Sequence, residues 1–454
     1  MTSRSRFAAL LAIVALLAGA CGTAASPTGS ATSPATESPS SGASASPSPT
    51  PSLDTTPVTI TLWDYYGKGT SPFSPEILAA FQKEYPWITV KHEDVDWDSF
   101  LTKFNTDVPA GAGPDVATLD GTWYSTLAAN GALMGLKDLS GGMLNGKPIT
   151  DQYAPGSIEA MTFDGDYITM MFDFDVYALY YRADQFQKKG IQVPKTWDDL
   201  IAAAKQLAED TNGDGKPDKY LYAVRADDFK FAQFLFQAGG SMLTPDNKKA
   251  AFNSQEGVDA LNVQKAILDE GAGFVWPDAD ADITPVIASE KAGMFNDGLF
   301  YMSLMKSAAP KQAGEWRIAI APYSKQPGSY LGGTGLSIPT TSKHPQAAWL
   351  LIQYMLRPEQ QVNGLWKIAG APPATLAALA DPALNEPDPY FGGQAPMGIF
   401  LETMKTATHM PYVGQWNEIS DILQTACETA LLGKGTPEDA LNAAAQKTDD
   451  LLSK

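Results

Sequence analysis

Residues 58–93 read VTITLWDYYGKGTSPFSPEILAAFQKEYPWITVKHE. Val58, Ile60 and Leu62 alternate with threonines, the period of a strand. Ile77, Phe81 and Tyr85 then recur every four residues with Leu78 beside them. That is the apolar stripe of a helix, and Pro75 suits its first turn. WITVKHE (87–93) returns to strand. A strand–helix–strand unit predicts α/β layers with mainly parallel sheets.

The same alternation continues outward. DVATL (115–119) is a strand entered through the turn GAGP, and TWYSTLAANGAL (122–133) is a short helix ended at Gly131. KTWDDLIAAAKQLAED (195–210) opens with a Thr196…Asp199 capping pattern. Trp197, Leu200, Ile201, Ala204 and Leu207 form its buried face. EWRIAIAPY (315–323) is a strand, and HPQAAWLLIQYMLRPEQQ (344–361) is a helix starting near Pro345. Helices dominate from 415 onward. Roughly 400 residues from 58 to the end exceed one comfortable core, so two domains are expected.

The first residues give an address. Arg4 and Arg6 precede an apolar run from Phe7 to Leu17, then Ala18-Gly19-Ala20-Cys21. This is the pattern of a signal peptide over 1–20, too short in its apolar part to span a bilayer. LLAGAC (16–21) resembles a bacterial lipobox, in which Cys21 becomes the lipidated first residue. Residues 21–57 are almost entirely Ser, Thr, Ala, Pro and Gly, the composition of a disordered tether. The net charge of −19 argues against nucleic acid and against an electrostatic membrane grip. With Cys21 lipidated, Cys427 has no partner, so no disulfide framework is expected.

DTNGDGKPD (210–218) has the alternate-residue spacing of a calcium loop. Asp210, Asn212, Asp214, the Lys216 carbonyl and Asp218 would stand at loop positions 1, 3, 5, 7 and 9. The twelfth position is Leu221 rather than a bidentate Glu, which favours a structural calcium staple over a switch. An Asx-rich turn without metal is the alternative.

The order of motifs resembles the carbohydrate-type extracellular solute-binding lipoproteins of ATP-binding-cassette importers, the maltose-binding-like family. The resemblance is carried by VTITLWDYYG (58–67), AAFQKEYPWITVKHE (79–93), AGAGPDVATLDGTWYSTLAANGALMGLKDL (110–139) and FDVYALYYR (174–182). It continues through PKTWDDLIAAAKQLAEDTNGDGKPDKYLYA (194–223), KAGMFNDGLFY (291–301), GGTGLSIPTTS (332–342) and the helix 344–361. It implies a two-lobe periplasmic-binding-protein-like α/β fold with the ligand in the cleft and hinge closure trapping it. It implies a first lobe of 58–172 plus 318–368 and a second of 173–317 plus 369–454. It also implies a monomer that delivers a sugar, expected to be an oligosaccharide, to a permease.

In open α/β sheets, ligand groups collect past the carboxyl ends of strands. Trp63, Asp64 and Tyr65 follow the first strand; Asp120 and Trp123 follow the third. Aromatic faces cover sugar C–H surfaces, and carboxylates or amides accept hydroxyl hydrogens. Trp197 and Trp349, in mid-helix, read as core. MMFDFDVYALYYR (170–182) resembles the first crossing between lobes, with Asp173 and Asp175 at the cleft. In KAGMFNDGLFY, Phe300 is the candidate stacking ring, replacing a more usual Trp, and Asn296 a hydroxyl partner. LGGTGLSIP lacks the Lys of a phosphate loop; backbone amides at Gly332 and Gly333 are expected to face ligand instead. Tyr412 and Trp416 in MPYVGQW and Gln237 in FLFQAGGSML complete the candidates. The rival readings are a secreted glycoside hydrolase, which needs a carboxylate pair across the bond, and a lipoprotein that binds peptides or cell-wall fragments.

Overall fold

The computed structural model describes residues 54–276 and 283–454. The expected signal peptide, Cys21 and nearly all of the tether lie outside the described residues. Thr55–Lys454 form one compact unit.

Two five-stranded sheets carry the fold. In the first, the order is Ile88–Asp94, Val58–Asp64, Val116–Asp120, Thr334–Ser337 and Met170–Met171. In the second, it is Gly273–Val275, Leu221–Val224, Ala292–Asp297, Ala178–Arg182 and Trp316–Ala319. The sheets are mixed rather than mainly parallel. Val58–Asp64 pairs parallel with both neighbours, whereas Thr334–Ser337 runs antiparallel to both of its own. Ala178–Arg182 is likewise antiparallel to Ala292–Asp297 and Trp316–Ala319. The reason is connectivity: these strands enter their sheet from the other lobe, with no covering helix to reverse them.

Each sheet is packed on both faces. Ile60, Leu62 and Leu336 meet Phe81, Leu351 and Ile352 on one side of the first sheet. Trp63, Ala117 and Leu119 meet Phe100 and Phe104 on the other. In the second sheet, Leu179, Tyr222 and Val224 pack on Leu200, Phe231, Trp416 and Leu423, while Tyr180, Phe295 and Ile318 pack on Met302, Phe391 and Phe400.

Local sequence explains the elements. Ser74 caps the helix Pro75–Glu84 by accepting from the Ile77 amide. Thr196 and Asp199 form a capping box at the head of Trp197–Leu207. The stretch 344–361 is not one helix. Pro345–Met355 ends before Pro358, which holds Arg357 extended (φ −69°, ψ 140°), and a π-helix then runs from Gln361 to Ala369.

The lobes are joined where chain passes meet. Phe172 N–H donates to Thr334 O (2.7 Å), Phe174 N–H to Pro372 O (3.2 Å) and Ala374 N–H to Phe172 O (3.1 Å). Beside them, Ser329–Gly332 pairs with Asp175–Val176 and Ala407–Thr408 in a small sheet of its own. The expected lobe boundary at 318 falls inside Trp316–Ala319, which the second sheet holds; the return crossing is 320–333. Gly333 is required there: its φ is +141°, and a Cβ would collide with the Asp173 carbonyl oxygen.

Candidate functional site

The parallel strands of the first sheet end at this junction. Beyond Val58–Asp64 come Tyr65 and Tyr66, whose rings stack with centroids 5.7 Å apart. Tyr65 Oη and Thr334 Oγ1 are 2.9 Å apart, and Tyr66 donates its hydroxyl to the Asp173 carboxylate. The other Asp173 oxygen accepts from the Thr334 amide at 2.6 Å. Asp120, ending the third strand, accepts from the amide and hydroxyl of Thr122. Asp120 is half-buried, and the residues that follow it, Gly121 and Thr122, line a narrow crevice together with Tyr124, Tyr330, His409 and Tyr412. Tyr412 stacks on His409 at 4.6 Å.

Burial sets the electrostatics. Loss of water pushes the carboxyls of Asp120 and Asp173 up to about 6, against the lowering effect of their hydrogen bonds. The Tyr65 and Tyr66 hydroxyls rise for the same reason, reinforced by the neighbouring acids. In the second lobe, burial and then the Asp297 charge raise Asp175. Two cations stand near these acids, and each is already held. Lys230 pairs with Asp297 (3.1 Å) over the Tyr177 ring (3.7 Å), and Arg225 pairs with Asp227 (2.6 Å). Asn296 lies beside them, 4% exposed, with both side-chain polar atoms unpartnered, and it lines a small pocket together with Arg225, Lys230 and Trp276. Asp175, Gly298 and Phe300 pack so closely that a Cβ on Gly298 would strike both neighbours.

The sequence candidates therefore separate. Tyr65, Asp120, Asp173 and Tyr412 gather at the junction, and Asp175, Asn296 and Phe300 stand together on the second lobe. Trp63 does not join them. The strand alternation turns it into the core against Phe100 and under Lys103, at 2% exposure. Asp64 is wholly buried, its oxygens taken by Ser71, His92 and the Tyr66 amide. Gln237 is a buried brace that accepts from Trp197 Nε1 (3.0 Å) and donates to Gly328 O (3.2 Å). Trp416 belongs to the second-lobe core. Trp123 is 8% exposed, layered between Phe100 and Trp97. Gly333 accepts from the Gly121 amide at 2.9 Å and serves the crossing. Tyr66, Thr334 and Lys230 were missed. Tyr66 and Thr334 lie inside quoted motifs, but nothing in their spacing says that they meet Asp173.

The loop 210–218 is exposed and far in sequence from these residues. Asp210 accepts from the Gly213 and Gly215 amides (2.7 and 2.8 Å), Asp214 from Lys216 (2.8 Å) and Asp218 from Thr211 (2.7 Å). The Asp214 bond, and the one Asn212 accepts from the Asp214 amide (2.9 Å), are Asx-type turns, while Asp210 and Asp218 brace the loop over longer spans. Among the described residues, no three His, Cys, Asp or Glu side chains gather as a metal cluster. Cys427 is a buried free thiol, its pKa raised by burial.

A tyrosine-lined crevice next to Asp120, at the junction of two α/β lobes tied by several crossings, defines a ligand-trapping binding protein. Residues 66–362 match the family model described as bacterial extracellular solute-binding protein, and the chain belongs to that family. It is a solute-binding protein, not an enzyme. A binding protein of Brucella abortus is 26% identical over 410 residues, spanning 89% of this chain and 95% of the relative. The arabinooligosaccharide-binding protein of Halalkalibacterium halodurans is 21% identical, spanning 85% of this chain and 87% of its own. A solute-binding protein of Thermotoga lettingae, solved with α-D-tagatose, superposes with a TM-score of 0.74 at 28% identity, covering 87% of this chain and 99% of that one. Among the described residues, no helix is long and apolar enough to cross a membrane.

The raised carboxyls give a pH dependence with a definite sign. Asp120 and Asp173 hold protons more tightly folded, near 6, than at the ordinary value of 3.8. Their contribution to stability therefore grows as pH falls from about 7 to 5 and is lost as pH rises through 6. Urea unfolding at pH 5 and pH 7 is expected to show this gain, and Asp120→Asn to remove part of it. An unchanged difference in the variant would contradict the burial of this charge.

Proposed function

We propose that this protein captures an uncharged sugar, an oligosaccharide rather than a single ring, by hinge closure and delivers it to the permease of an ATP-binding-cassette importer. The observation that carries this reading is the set of acids and tyrosines at the junction. Asp120 and Asp175 are carboxylates with little water and no cation of their own. Hydroxyl hydrogens are the natural partners for such groups, and phenol rings supply the apolar faces that a sugar also needs. Lys230 and Arg225 are engaged by Asp297 and Asp227, so neither stands ready to neutralise an acidic sugar. The Halalkalibacterium relative is an arabinooligosaccharide-binding protein and the Thermotoga protein was solved with α-D-tagatose, and both support a sugar as the ligand.

In a thermal-shift screen, neutral oligosaccharides are expected to raise the melting temperature, and chromatography after overnight incubation to return them uncleaved. A shift with uronic acids alone would overturn the uncharged reading, and cleavage would favour a hydrolase.

Two further features complete the proposal. The protein acts as a monomer held at the outer face of the cell membrane by a lipid on Cys21, with residues 21–57 as its leash. The support is the small-residue motif before Cys21 and the composition after it. Cys21→Ser is expected to move the protein from washed membranes to the soluble fraction with sugar affinity unchanged; retention in the membranes would count against lipidation.

The loop 210–218 binds calcium as a structural staple remote from the sugar. Its support is the spacing of Asp210, Asn212, Asp214, Lys216 and Asp218, with Gly213 (φ +79°) and Gly215 (φ +84°) making the tight path. EDTA should lower the melting temperature and calcium restore it, with Asp214→Ala insensitive to both. A wild-type melt indifferent to EDTA would reduce the loop to a turn.

A further inference from the structure

Asparagine followed by glycine occurs four times in the chain, at Asn130, Asn145, Asn212 and Asn363. The pair has a chemistry of its own. A glycine amide nitrogen, with no side chain beside it, can approach the side-chain carbonyl carbon of the asparagine before it. Bond formation there needs a base for the N–H and a donor for the carbonyl oxygen, on which negative charge develops. Three of the pairs are held in other ways. Asn363 stands in the π-helix Gln361–Ala369, and a Cβ on Gly364 would lie 2.9 Å from the Pro72 carbonyl oxygen. The Asn145 side-chain nitrogen is tied to Gln353 O at 2.9 Å. The Gly131 amide after Asn130 donates to a neutral carbonyl, Ala128 O, at 2.9 Å.

Asn212 has both requirements in place. The Gly213 N–H donates to the Asp210 carboxylate at 2.7 Å, so the nucleophile already faces a base. The Asn212 side-chain oxygen accepts from the Asp214 amide at 2.9 Å, so a donor already faces the oxygen that gains charge. Neighbouring bonds fix both groups. The other Asp210 oxygen accepts from Gly215, and Asp214 accepts from Lys216, each at 2.8 Å. Residues 210–216 are exposed, so water reaches them.

We propose that Asn212 is a self-modification site, at which the loop 210–218 converts its own asparagine to an acid. The Gly213 nitrogen bonds to the Asn212 side-chain carbonyl carbon while Asp210 accepts its proton. The bond from that carbon to the side-chain nitrogen breaks, and Asp210 returns the proton to the nitrogen, which leaves as ammonia. Water opens the remaining cyclic imide at either carbonyl, giving aspartate from one and isoaspartate from the other. Overall, water is consumed and ammonia released, with no oxidant or reductant. The loop gains a carboxylate between Asp210 and Asp214. Neither sugar nor calcium takes part in the reaction.

The test is to incubate full-length protein in mildly alkaline buffer with EDTA, which keeps Asp210 free of metal, and to follow tryptic peptides by mass spectrometry. Lys216 precedes Pro217 and resists trypsin, so residues 206–219 leave as one peptide in which Asn212 is the sole asparagine. Folded protein is expected to convert Asn212 about tenfold faster than the same chain unfolded in guanidinium chloride, a modest share of what a placed base can contribute. It should also convert Asn212 ahead of Asn130, Asn145 and Asn363 in the same sample. Asp210→Asn keeps an acceptor without the charge and should lower the folded rate to the unfolded one. The comparison with the unfolded chain needs no variant, so it carries the test if the substitution disturbs the loop. A folded rate at or below the unfolded rate, or a rate unchanged in Asp210→Asn, would overturn the proposal.

Discussion

Asp173 is the point on which the two lobes depend. It lies in the first pass of the chain between them, yet its carboxylate is bonded to the return pass through the Thr334 amide and to the first-lobe sheet through Tyr66. Around it, Phe172, Thr334, Pro372 and Ala374 tie the crossings to one another through their backbones. A hinge made of one pass would swing freely. One made of several passes, joined side by side, restricts the lobes to a narrow family of motions. Gly333 fits because only a residue without Cβ can pass so near the Asp173 carbonyl.

The same junction explains why the site tolerates so many acids. Charges without water are costly unless they are paired or neutralised. Asp173 is supplied with donors by its neighbours. Asp297 and Asp227 have Lys230 and Arg225. Asp120 and Asp175 have no cation paired with them, and burial raises the carboxyls of both, as it does those of Asp173 and Asp297. A ligand rich in hydroxyl groups can donate hydrogen bonds to such carboxyls.

Aromatic placement follows from sheet geometry. Side chains along a strand alternate between faces, so Trp63 and Tyr65, two residues apart, leave the same face, and what separates them is where the strand stops. Trp63, one position inside, goes to the core with Phe100; Tyr65, one position beyond, reaches the junction. The aromatic wealth of the first lobe is thus mostly a stack of supporting rings, with Trp97 at its open end.

The sequence by itself determined the class of fold. Alternation in Val58–Leu62, the four-residue spacing of Ile77, Phe81 and Tyr85, and the Thr196–Asp199 cap are local signals, and local signals are governed by backbone geometry alone. It also placed Asp120, Asp173 and Asp175 near the crossing, through the order of motifs. What it could not decide was direction and company. Whether a strand runs parallel or antiparallel depends on which lobe the chain comes from, so the mixed sheets and the boundary after Ala319 were invisible. Whether a Trp or Gln is core or surface depends on the residues folded over it. Trp63, Trp416 and Gln237 were therefore misplaced, and Tyr66, Thr334 and Lys230 acquired their places only from partners distant in the chain. Those contacts are set by tertiary packing, and no short window of sequence contains them.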